Sequence, residues 1–199
     1  MRTFILFSRK GVTAPNFSLN DLPGSGGRMD LVCRCINSAL WLSHKLRSDT
    51  RIFVVLNGPP SPPVSVVFEG SNLKRVSPDE RNIASWIRKS LRGLKKDWRK
   101  VQEGIKVAKK SFQEIMREVE GNFYILHEKG RFLREVEIKR NPVFILGDHI
   151  GLPQKEEKFA LRFGAEKISL GKLSYLASQC ITIVHHELDV RQLTNFHHF

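Results

Sequence analysis

The sequence predicts an α/β fold in which helices flank a mostly parallel β-sheet. The chain has 199 residues, which is long enough for one domain with its own hydrophobic core. Short β-branched segments alternate with segments of helical periodicity, as they do in parallel sheets whose crossovers are helices. In the C-terminal third, three of the strand-like segments end at loops that contain glycine.

The N-terminal part opens with a strand-like segment, followed by a loop rich in glycine, proline and serine. Apolar residues at helical spacing then predict a helix from residue 29 to residue 46. In the stretch SPDERNIA, Ser77 suits the N-cap of another helix and Pro78 suits its first position. The strand-like segments of this part are residues 3–8, 51–56 and 64–68.

Residues 87–119 carry the longest periodic pattern in the chain. Their apolar residues are separated alternately by four and three positions. This spacing predicts one long helix, or two helices broken near Gly93 or Gly104. We therefore expect a basic helical elaboration at about residues 86–120.

The charge of the chain is strongly positive. It has 33 lysines and arginines against 20 acids, a net charge of +13 and an isoelectric point near 10.0. Residues 88–110 alone hold ten basic residues and two acids. A solvated helix face usually mixes both signs, so the excess favours a surface that faces phosphates. A generally charged surface and an acidic membrane partner are the alternatives.

The C-terminal third predicts a ligand site. Strand-like segments at residues 122–126, 143–147 and 167–170 each precede a loop with glycine. Parallel sheets bind ligands at the carboxyl ends of their strands, so these loops should converge on one site. The helical stretches of this third are expected at about residues 131–138, 154–162 and 174–189.

Several other classes of site and location are not expected. The sequence has no P-loop, G-x-G-x-x-G, H-E-x-x-H or G-x-S-x-G motif. Cys33 and Cys35 form a C-x-C without a second cluster, so we expect no metal site, and with Cys180 they suit reduced thiols. No apolar stretch approaches membrane-spanning length. We expect a cytoplasmic protein with no membrane partner.

Several motifs carry a resemblance to a known family. The segments NFYILHEKG, VFILGDHIGLP and KISLGKLSYLASQCITIVHHELD resemble, in order and separation, the three segments that bind S-adenosylmethionine (SAM) in SPOUT methyltransferases. Upstream, DLPGSGGRMDLVCRCI, NGPPSPPV and SPDERNIA resemble the archaeal tRNA pseudouridine-54 N1-methyltransferases. The resemblance spans nearly the whole chain and matches least at residues 95–118.

The resemblance implies a single SPOUT methyltransferase domain over residues 1–199. It implies a deep trefoil knot at about residues 121–190, with SAM bound inside it. The glycines Gly147 and Gly171 could instead serve turn geometry alone, and Cys180 could be a core residue. The residues that would contact the cofactor are Leu126, Gly147, Ser169, Leu170, Gly171, Leu173 and Cys180.

The resemblance also suggests a catalytic carboxylate. The DLP motif is similar to the DSP of the related ribosome-biogenesis pseudouridine methyltransferases, which makes Asp21 the candidate to accept the N1 proton or to orient the base. Its alternative role is to cap the turn before Leu22. Five arginines are candidates for contacts to RNA: Arg28 and Arg81 first, then Arg9, Arg88 and Arg92.

Arg28 and Arg81 also have a structural alternative, since they could pair with Asp30 or Glu80 on the surface. The activity that the resemblance implies is methylation of N1 of pseudouridine-54 in the TΨC loop of tRNA. The enzyme would be a homodimer whose interface includes the final helix, residues 174–189. An RNA-binding or ribosome-assembly factor that keeps the fold is one alternative, and a methyltransferase that acts on ribosomal RNA is another.

Overall fold

A computed structural model describes the backbone of residues 1–195 and the side chains of residues 1–192. It contains an eight-stranded sheet and five α-helices within these residues. The strands are β1 (Arg2–Ser8), β2 (Thr50–Leu56), β3 (Val64–Glu69), β4 (Arg99–Gln102), β5 (Ile105–Ala108), β6 (Asn122–Phe132), β7 (Pro142–Gly147) and β8 (Glu166–Ser169). The helices are α1 (Met29–Leu40), α2 (Glu80–Ser90), α3 (Phe112–Glu118), α4 (Gln154–Arg162) and α5 (Ala177–Asn195).

The sheet has a parallel half and an antiparallel half. Its strand order is β4-β5-β3-β2-β1-β7-β6-β8. The pairs from β2 to β8 are all parallel, whereas β3, β5 and β4 pair antiparallel at the other side. The predicted mostly parallel sheet flanked by helices is therefore confirmed. The trefoil knot stays a prediction.

Each face of the sheet has its own hydrophobic core. On one face, Phe4 and Ile52 of the sheet pack with α1, α2 and α5. On the other face, Ile5 and Ile145 pack with α3 and α4. Alternate residues of one strand thus serve opposite cores, as the pleat requires. Because both faces are covered, the parallel strands are continuously apolar, which is typical of such sheets.

The prediction of one long helix, or two helices, over residues 87–119 is wrong for residues 91–111. After α2 the chain forms a β-hairpin, β4–β5, and β5 pairs with β3 through Ser65↔Ala108 to Phe68↔Ile105. Gly104 forms the hairpin turn with φ +78, where a Cβ would lie 2.5 Å from the Cα of Leu73. Pairing with a distant strand thus overrides the local helical spacing, as tertiary context often does.

Other helix boundaries also differ from the prediction. Helix α1 ends at Leu40 rather than near residue 46, because Trp41 and Leu46 form an isolated antiparallel bridge. Residues 131–138 hold the end of β6 and a 3-10 turn, Leu133–Glu135, instead of the predicted helix. The final helix begins at Ala177. The helix at residues 154–162 is confirmed.

The N-cap of α2 is Asp79 rather than Ser77. The carboxylate of Asp79 accepts a hydrogen bond from the backbone N–H of Asn82, at 2.8 Å, and helix α2 begins at Glu80. The Ser77 hydroxyl instead donates to the Asp79 carboxylate, at 2.7 Å. A carboxylate both caps the first turn and complements the positive end of the helix dipole, so Asp79 is the stronger cap here.

A buried histidine joins three elements of the parallel half. His185 of α5 is 2% exposed and packs edge-on against the Phe4 ring of β1. Its Nε2 lies 3.0 Å from the carbonyl oxygen of Ala39 in α1, and its Nδ1 lies 3.1 Å from Nη1 of Arg2. The neutral imidazole with its proton on Nε2 satisfies both contacts. Burial, followed by the charges of Arg47 and Arg2, lowers the pKa of His185 to about 3.

No helix within residues 1–195 is both long enough and apolar enough to cross a bilayer.

Candidate active site

A cavity of about 590 Å³ lies at the carboxyl ends of β6, β7 and β8. Its volume is in the range of small-molecule sites, and parallel sheets bind ligands at this end of their strands. The three strand-end loops that the sequence singled out all line it. The seven residues predicted to contact the cofactor are all among its lining residues: Leu126, Gly147, Ser169, Leu170, Gly171, Leu173 and Cys180.

Two glycines let the backbones that frame the cavity approach each other. A Cβ on Gly147 would lie 2.1 Å from the carbonyl carbon of Gly151, and one on Gly130 would lie 2.4 Å from that of Ile168. Both neighbours are backbone atoms, so a side chain at either glycine would push a strand or loop aside. Close approach of main chains is therefore the reason for glycine at both positions.

Strand β6 contacts β8 twice. Ile168 is paired with Leu126 and again with Arg131, and the register shifts between the two contacts. Residues 127–130 consequently loop out of the ladder beside the cavity. The first and third of the predicted loops are thus held together by one strand.

The turn after β8 has its own glycine requirement. Gly171 adopts φ +125, a region that side chains rarely enter, although a Cβ at this position would have no neighbour within 4 Å. The backbone N–H of Gly171 donates to the Ser169 hydroxyl at 3.1 Å, and that hydroxyl lies 3.0 Å from the Gly171 carbonyl oxygen. Turn geometry is therefore one reason for this glycine, in addition to its place in the cavity wall.

Cys180 lies in the cavity wall near the start of α5 and is half-buried. Its Sγ lies 3.8 Å from the carbonyl oxygen of Tyr175. Burial raises the pKa of the Cys180 thiol, so at neutral pH the residue presents an uncharged, polarisable surface to the cavity.

Three acidic residues of the cavity were missed by the sequence reasoning: Asp148, Glu128 and Glu157. Asp148 is buried and accepts hydrogen bonds from the backbone N–H groups of Arg9, at 2.7 Å, and Ile150, at 3.0 Å. Its position directly after Gly147 at a strand end was the available signal. Glu128 contacts the Ser174 hydroxyl across the opening.

Glu157 projects into the cavity wall from helix α4. Its carboxylate pairs with Nζ of Lys167 at 2.5 Å and lies 3.9 Å from Nε2 of His127. The pairing with Lys167 of β8 fixes the helix against the strand that ends at the cavity. No sequence motif marked Glu157, because its partners come together only when β8 forms beside β6.

The lining suits the cofactor that the resemblance implies. Leu126, Leu146 and Leu170 offer apolar surface to a planar adenine, and the main chain of Gly147 and Gly171 forms part of the wall. Carboxylates in the same wall favour the positive sulfur of SAM. Within the described residues, no cluster of three or more His, Cys, Asp or Glu residues could hold a metal ion.

Asp21 caps a turn. Its carboxylate accepts hydrogen bonds from the backbone N–H groups of Gly24, at 3.0 Å, and Ser25, at 2.8 Å. The residue is exposed and is not among those that line the cavity. The capping alternative is thus observed, and it leaves lone pairs of both carboxylate oxygens open to solvent. A catalytic role for Asp21 stays a prediction.

Arg28 adopts a left-handed conformation, φ 68, at the start of α1, which is uncommon for a residue with a long side chain. Its guanidinium makes two hydrogen bonds of 3.1 Å to the carboxylate of Asp30. Burial would raise the pKa of Asp30, but the guanidinium groups of Arg28 and Arg34 outweigh it and the pKa is lowered. The ion pair that was the alternative for Arg28 is therefore present.

Arg81 binds the loop that carries Asp21. Its Nη2 donates to Oδ1 of Asn20 at 2.9 Å, and its predicted alternative partner, Glu80, pairs instead with Arg34 at 3.3 Å. Arg81 is exposed on the first turn of α2. The contact brings the start of α2 against the loop of residues 9–28.

Arg9 connects that loop to the cavity. Besides the contact of its N–H with Asp148, its Nε donates to the carbonyl oxygen of Gly151 at 3.1 Å. Arg88 lies in the last turn of α2 and Arg92 follows it, and neither is a lining residue. Arg9 is not a lining residue itself, but its hydrogen bonds join it to two residues that are, Asp148 and Gly151.

Known proteins match this chain over nearly its full length. The family model described as "Putative SAM-dependent RNA methyltransferase" matches residues 1–193. The tRNA (pseudouridine(54)-N(1))-methyltransferase of Methanocaldococcus jannaschii is 45% identical over 203 residues, which cover 97% of this chain and 98% of that protein. The enzyme of the same name from Methanococcus aeolicus is 47% identical and is covered completely.

A solved structure shares this fold. The crystal structure of Archaeoglobus fulgidus Nep1 bound to S-adenosylhomocysteine superposes with a TM-score of 0.65 at 15% identity, covering 97% of this chain and 100% of that chain. The likeness in structure thus agrees with the likeness in sequence, and this chain belongs to the family of archaeal tRNA (pseudouridine(54)-N(1))-methyltransferases.

Proposed function

We propose that this protein transfers the methyl group of SAM to N1 of pseudouridine-54 in the TΨC loop of tRNA. One observation carries the proposal: all seven residues that the resemblance assigned to the cofactor line a single cavity of suitable volume. Relatives named for this activity match nearly the whole chain at 45 to 47% identity. A loop is a suitable target, because its unstacked bases can be turned out of the stack into a pocket.

The reaction transfers a methyl group from a sulfur atom to a nitrogen atom. When bound, SAM supplies a methyl group on a cationic sulfur, and the N1–carbon bond forms as the carbon–sulfur bond breaks, its electron pair remaining on sulfur and the N1 proton being lost. The protein itself positions the reactants and supplies an electrostatic field. Apolar walls hold the reactants and exclude water, and the carboxylate of Asp148 adds negative potential at the cavity.

The loop of residues 9–28 is our candidate for the wall that holds the target base. It carries Asp21, the proposed acceptor of the N1 proton or orienter of the base, and Arg28, a proposed phosphate contact. Arg9 supports the idea, because its two hydrogen bonds fix the start of this loop to the cavity rim. Arg81 supports it from the other side through Asn20.

We also propose that the enzyme works as a homodimer in the cytoplasm. Large apolar side chains are exposed near the cavity mouth: Leu173 is 68% exposed and Leu176 is 62% exposed. Val190 on α5 adds a further exposed apolar side chain. Such a patch beside a site is typical of a subunit interface, and the predicted interface includes this helix.

Incubation with labelled SAM and a tRNA that contains pseudouridine-54 tests the function. We expect one methyl group per tRNA and, after digestion, N1-methylpseudouridine by mass spectrometry. Ribosomal RNA with pseudouridine should stay unlabelled. Labelling of ribosomal RNA alone would move the substrate to the rival class, and SAM binding without any transfer would favour an assembly factor.

Asp21→Ala and Asp21→Asn together separate chemistry from turn capping. If the carboxylate takes part in proton transfer, both variants lower kcat by about 100-fold or more, while the Kd for SAM changes by less than about twofold. Asparagine keeps one acceptor for the turn, so normal kcat in Asp21→Asn would reduce this residue to its capping role.

A further inference from the structure

Three exposed lysines lie where the β4–β5 hairpin joins the rest of the sheet. Lys95 and Lys96 precede β4, and Lys109 follows β5. The backbone N–H of Lys109 donates to the Lys95 carbonyl oxygen at 2.8 Å, so all three lie together. We call them the edge lysines. They are part of the basic stretch that the sequence marked, but a hairpin rather than a helix presents them.

The edge lysines lie at the same edge of the sheet as the cofactor cavity. The strand registers form one row across the sheet, in which Gly147 pairs with Phe7, Phe7 with Val55, Val55 with Ser65 and Ser65 with Ala108. Gly147 lines the cavity, and Ala108 directly precedes Lys109. Four steps between strands of about 4.8 Å put roughly 19 Å between these two ends of the row.

A ridge of hydrogen-bonded loops fills the interval. The ridge starts at Arg9 beside the cavity. Two residues further along the chain, the carbonyl oxygen of Gly11 accepts a hydrogen bond from the N–H of Gly58 at 2.8 Å. The Ser61 N–H donates to Oγ1 of Thr13 at 2.9 Å. The ridge ends at Lys109, whose Nζ donates to Oγ of Ser61 at 2.7 Å. It is therefore continuous from the cavity to the lysines.

The hairpin itself is fixed in place. The guanidinium of Arg99 donates to the carbonyl oxygens of Ser90, at 2.9 Å, and Arg92, at 2.6 Å. It thereby satisfies carbonyl groups at the carboxyl end of α2 and binds the hairpin to that helix. The edge lysines consequently stand on a rigid base rather than on a free arm.

Charge pairing differs between the two ends of the hairpin. At its turn, Lys74 forms an ion pair of 2.9 Å with Glu103, and within β5, Lys106 pairs with Glu69 at 3.2 Å. Among the described residues, Lys95, Lys96 and Lys109 have no ion pair shorter than 4.0 Å. The next residue, Lys110, pairs with Glu118, and Asp97 follows Lys96 in the sequence. Lysines without an ion-pair partner, grouped on one edge, are what a phosphate-binding surface presents.

We propose that the edge lysines bind the sugar-phosphate backbone of the tRNA outside the loop that enters the cavity. This inference rests on the proposed function for the identity of the RNA. With the target base in the cavity, phosphates about 20 Å away along the ridge meet the lysines, and their contact fixes the orientation of the RNA without reading its sequence. The surface therefore selects a folded RNA of sufficient length over an isolated loop.

The test compares two triple variants of equal charge. Lys95→Ala, Lys96→Ala and Lys109→Ala are combined in one protein. The control combines Lys45→Ala, Lys74→Ala and Lys139→Ala, all exposed lysines at the opposite edge of the sheet. Binding of full-length tRNA, and of a short TΨC-loop oligonucleotide, is measured by fluorescence anisotropy over a series of salt concentrations.

For full-length tRNA, we expect the edge variant to raise Kd by at least about tenfold at low salt. It should also reduce the slope of log K against log salt by up to about three, since each lysine that no longer neutralises a phosphate lowers the slope by about one. The control should change both by much less. Binding of the short oligonucleotide and the Kd for SAM should be equal in all three proteins.

Equal losses in the two variants would overturn the proposal, because net charge alone would then explain them. Equal losses for tRNA and the short oligonucleotide would also overturn it, since the lysines would then act at the loop. The binding experiment does not depend on methyl transfer. A failure of the proposed function would appear separately, as intact tRNA binding without methylation by the unmodified protein.

Discussion

The two halves of the sheet differ in the physical property that suits each of them to bind a ligand. In the parallel half, β2-β1-β7-β6-β8, the proposed function depends on shape, because main chains meet at Gly130 and Gly147 beside the cavity. In the antiparallel half, β3-β5-β4, the notable feature is charge on an exposed edge. Shape must be accurate to a fraction of an ångström, whereas charge acts over several ångströms and is screened by salt.

The difference sets the size of the effects that mutations should have. A methyl group added where backbones touch has to displace a strand or loop. A charge removed from a solvated edge changes the energy by a small amount that depends on ionic strength. Substitutions should therefore be poorly tolerated in the parallel half of the sheet and well tolerated in the antiparallel half.

The largest effect is expected from Gly147→Ala. The new Cβ would overlap the backbone at Gly151 and Leu152, so the cavity wall has to move. We expect the affinity for SAM to fall by at least about 1,000-fold, equal to about 4 kcal/mol, as measured by calorimetric titration, with circular dichroism to verify the fold.

The matched variant is Gly93→Ala in the loop before the hairpin. Gly93 has φ +62 and nothing within 4 Å of a Cβ, so we expect a loss of about 1 kcal/mol in unfolding free energy and unchanged SAM affinity. Similar SAM affinities for the two variants would break the comparison between the halves.

An intermediate effect is expected from acid. The unfolded chain protonates a histidine near pH 6.5, whereas the folded chain holds His185 neutral down to a pKa of about 3. Its contribution to stability is complete above pH 6.5 and is lost as pH falls below that value. Between pH 6.5 and 4 we expect a loss of roughly 3 kcal/mol in unfolding free energy from this residue.

Urea unfolding of the unmodified protein and of the variants His185→Gln and His186→Gln, at several pH values, tests this pH dependence. His185→Gln should flatten the dependence between pH 6.5 and 4, whereas His186→Gln, a change at the exposed neighbouring position, should follow the unmodified protein. An unchanged slope in His185→Gln would mean that other groups cause the acid sensitivity.

The smallest effect is expected in the antiparallel half. Lys100 of β4 is directly opposite Lys106 of β5, and like charges in such positions are unfavourable. Lys100→Glu should raise the unfolding free energy by about 0.5 kcal/mol at low salt, and added salt should remove the gain. Lys100→Ala should gain less, and no gain in either variant would show that the repulsion is already relieved by Glu69.

The parallel half was largely predictable from the sequence. Three of its strands were recognised as apolar runs followed by loops with glycine, and the topology of a parallel sheet brings such strand ends together. The family resemblance then named seven of the residues that line the cavity. Asp148, Glu128 and Glu157 could not be found in this way, because their importance depends on which loops and helices meet around the cavity.

Of the antiparallel half, β3 was predicted as a strand, whereas β4 and β5 were not. The spacing of the apolar residues in β4 and β5 fits a helix, and only the pairing of β5 with the distant β3 makes this segment a hairpin. In the loop of residues 9–28, the ion pair of Arg28 and the turn cap by Asp21 are both present, and the catalytic and RNA-binding roles of these residues stay predictions. In residues 88–110 the sequence marked the excess of positive charge, which is a property of composition rather than of fold.

Arg9 has a consequence for the binding of cofactor and RNA. Its backbone and side chain both bind the rim at Asp148 and Gly151, so a ligand that steadies the rim also steadies the loop beginning at Arg9. Thermodynamic linkage makes such coupling reciprocal. If bound cofactor raises the affinity for RNA by some factor, bound RNA raises the affinity for the cofactor by the same factor.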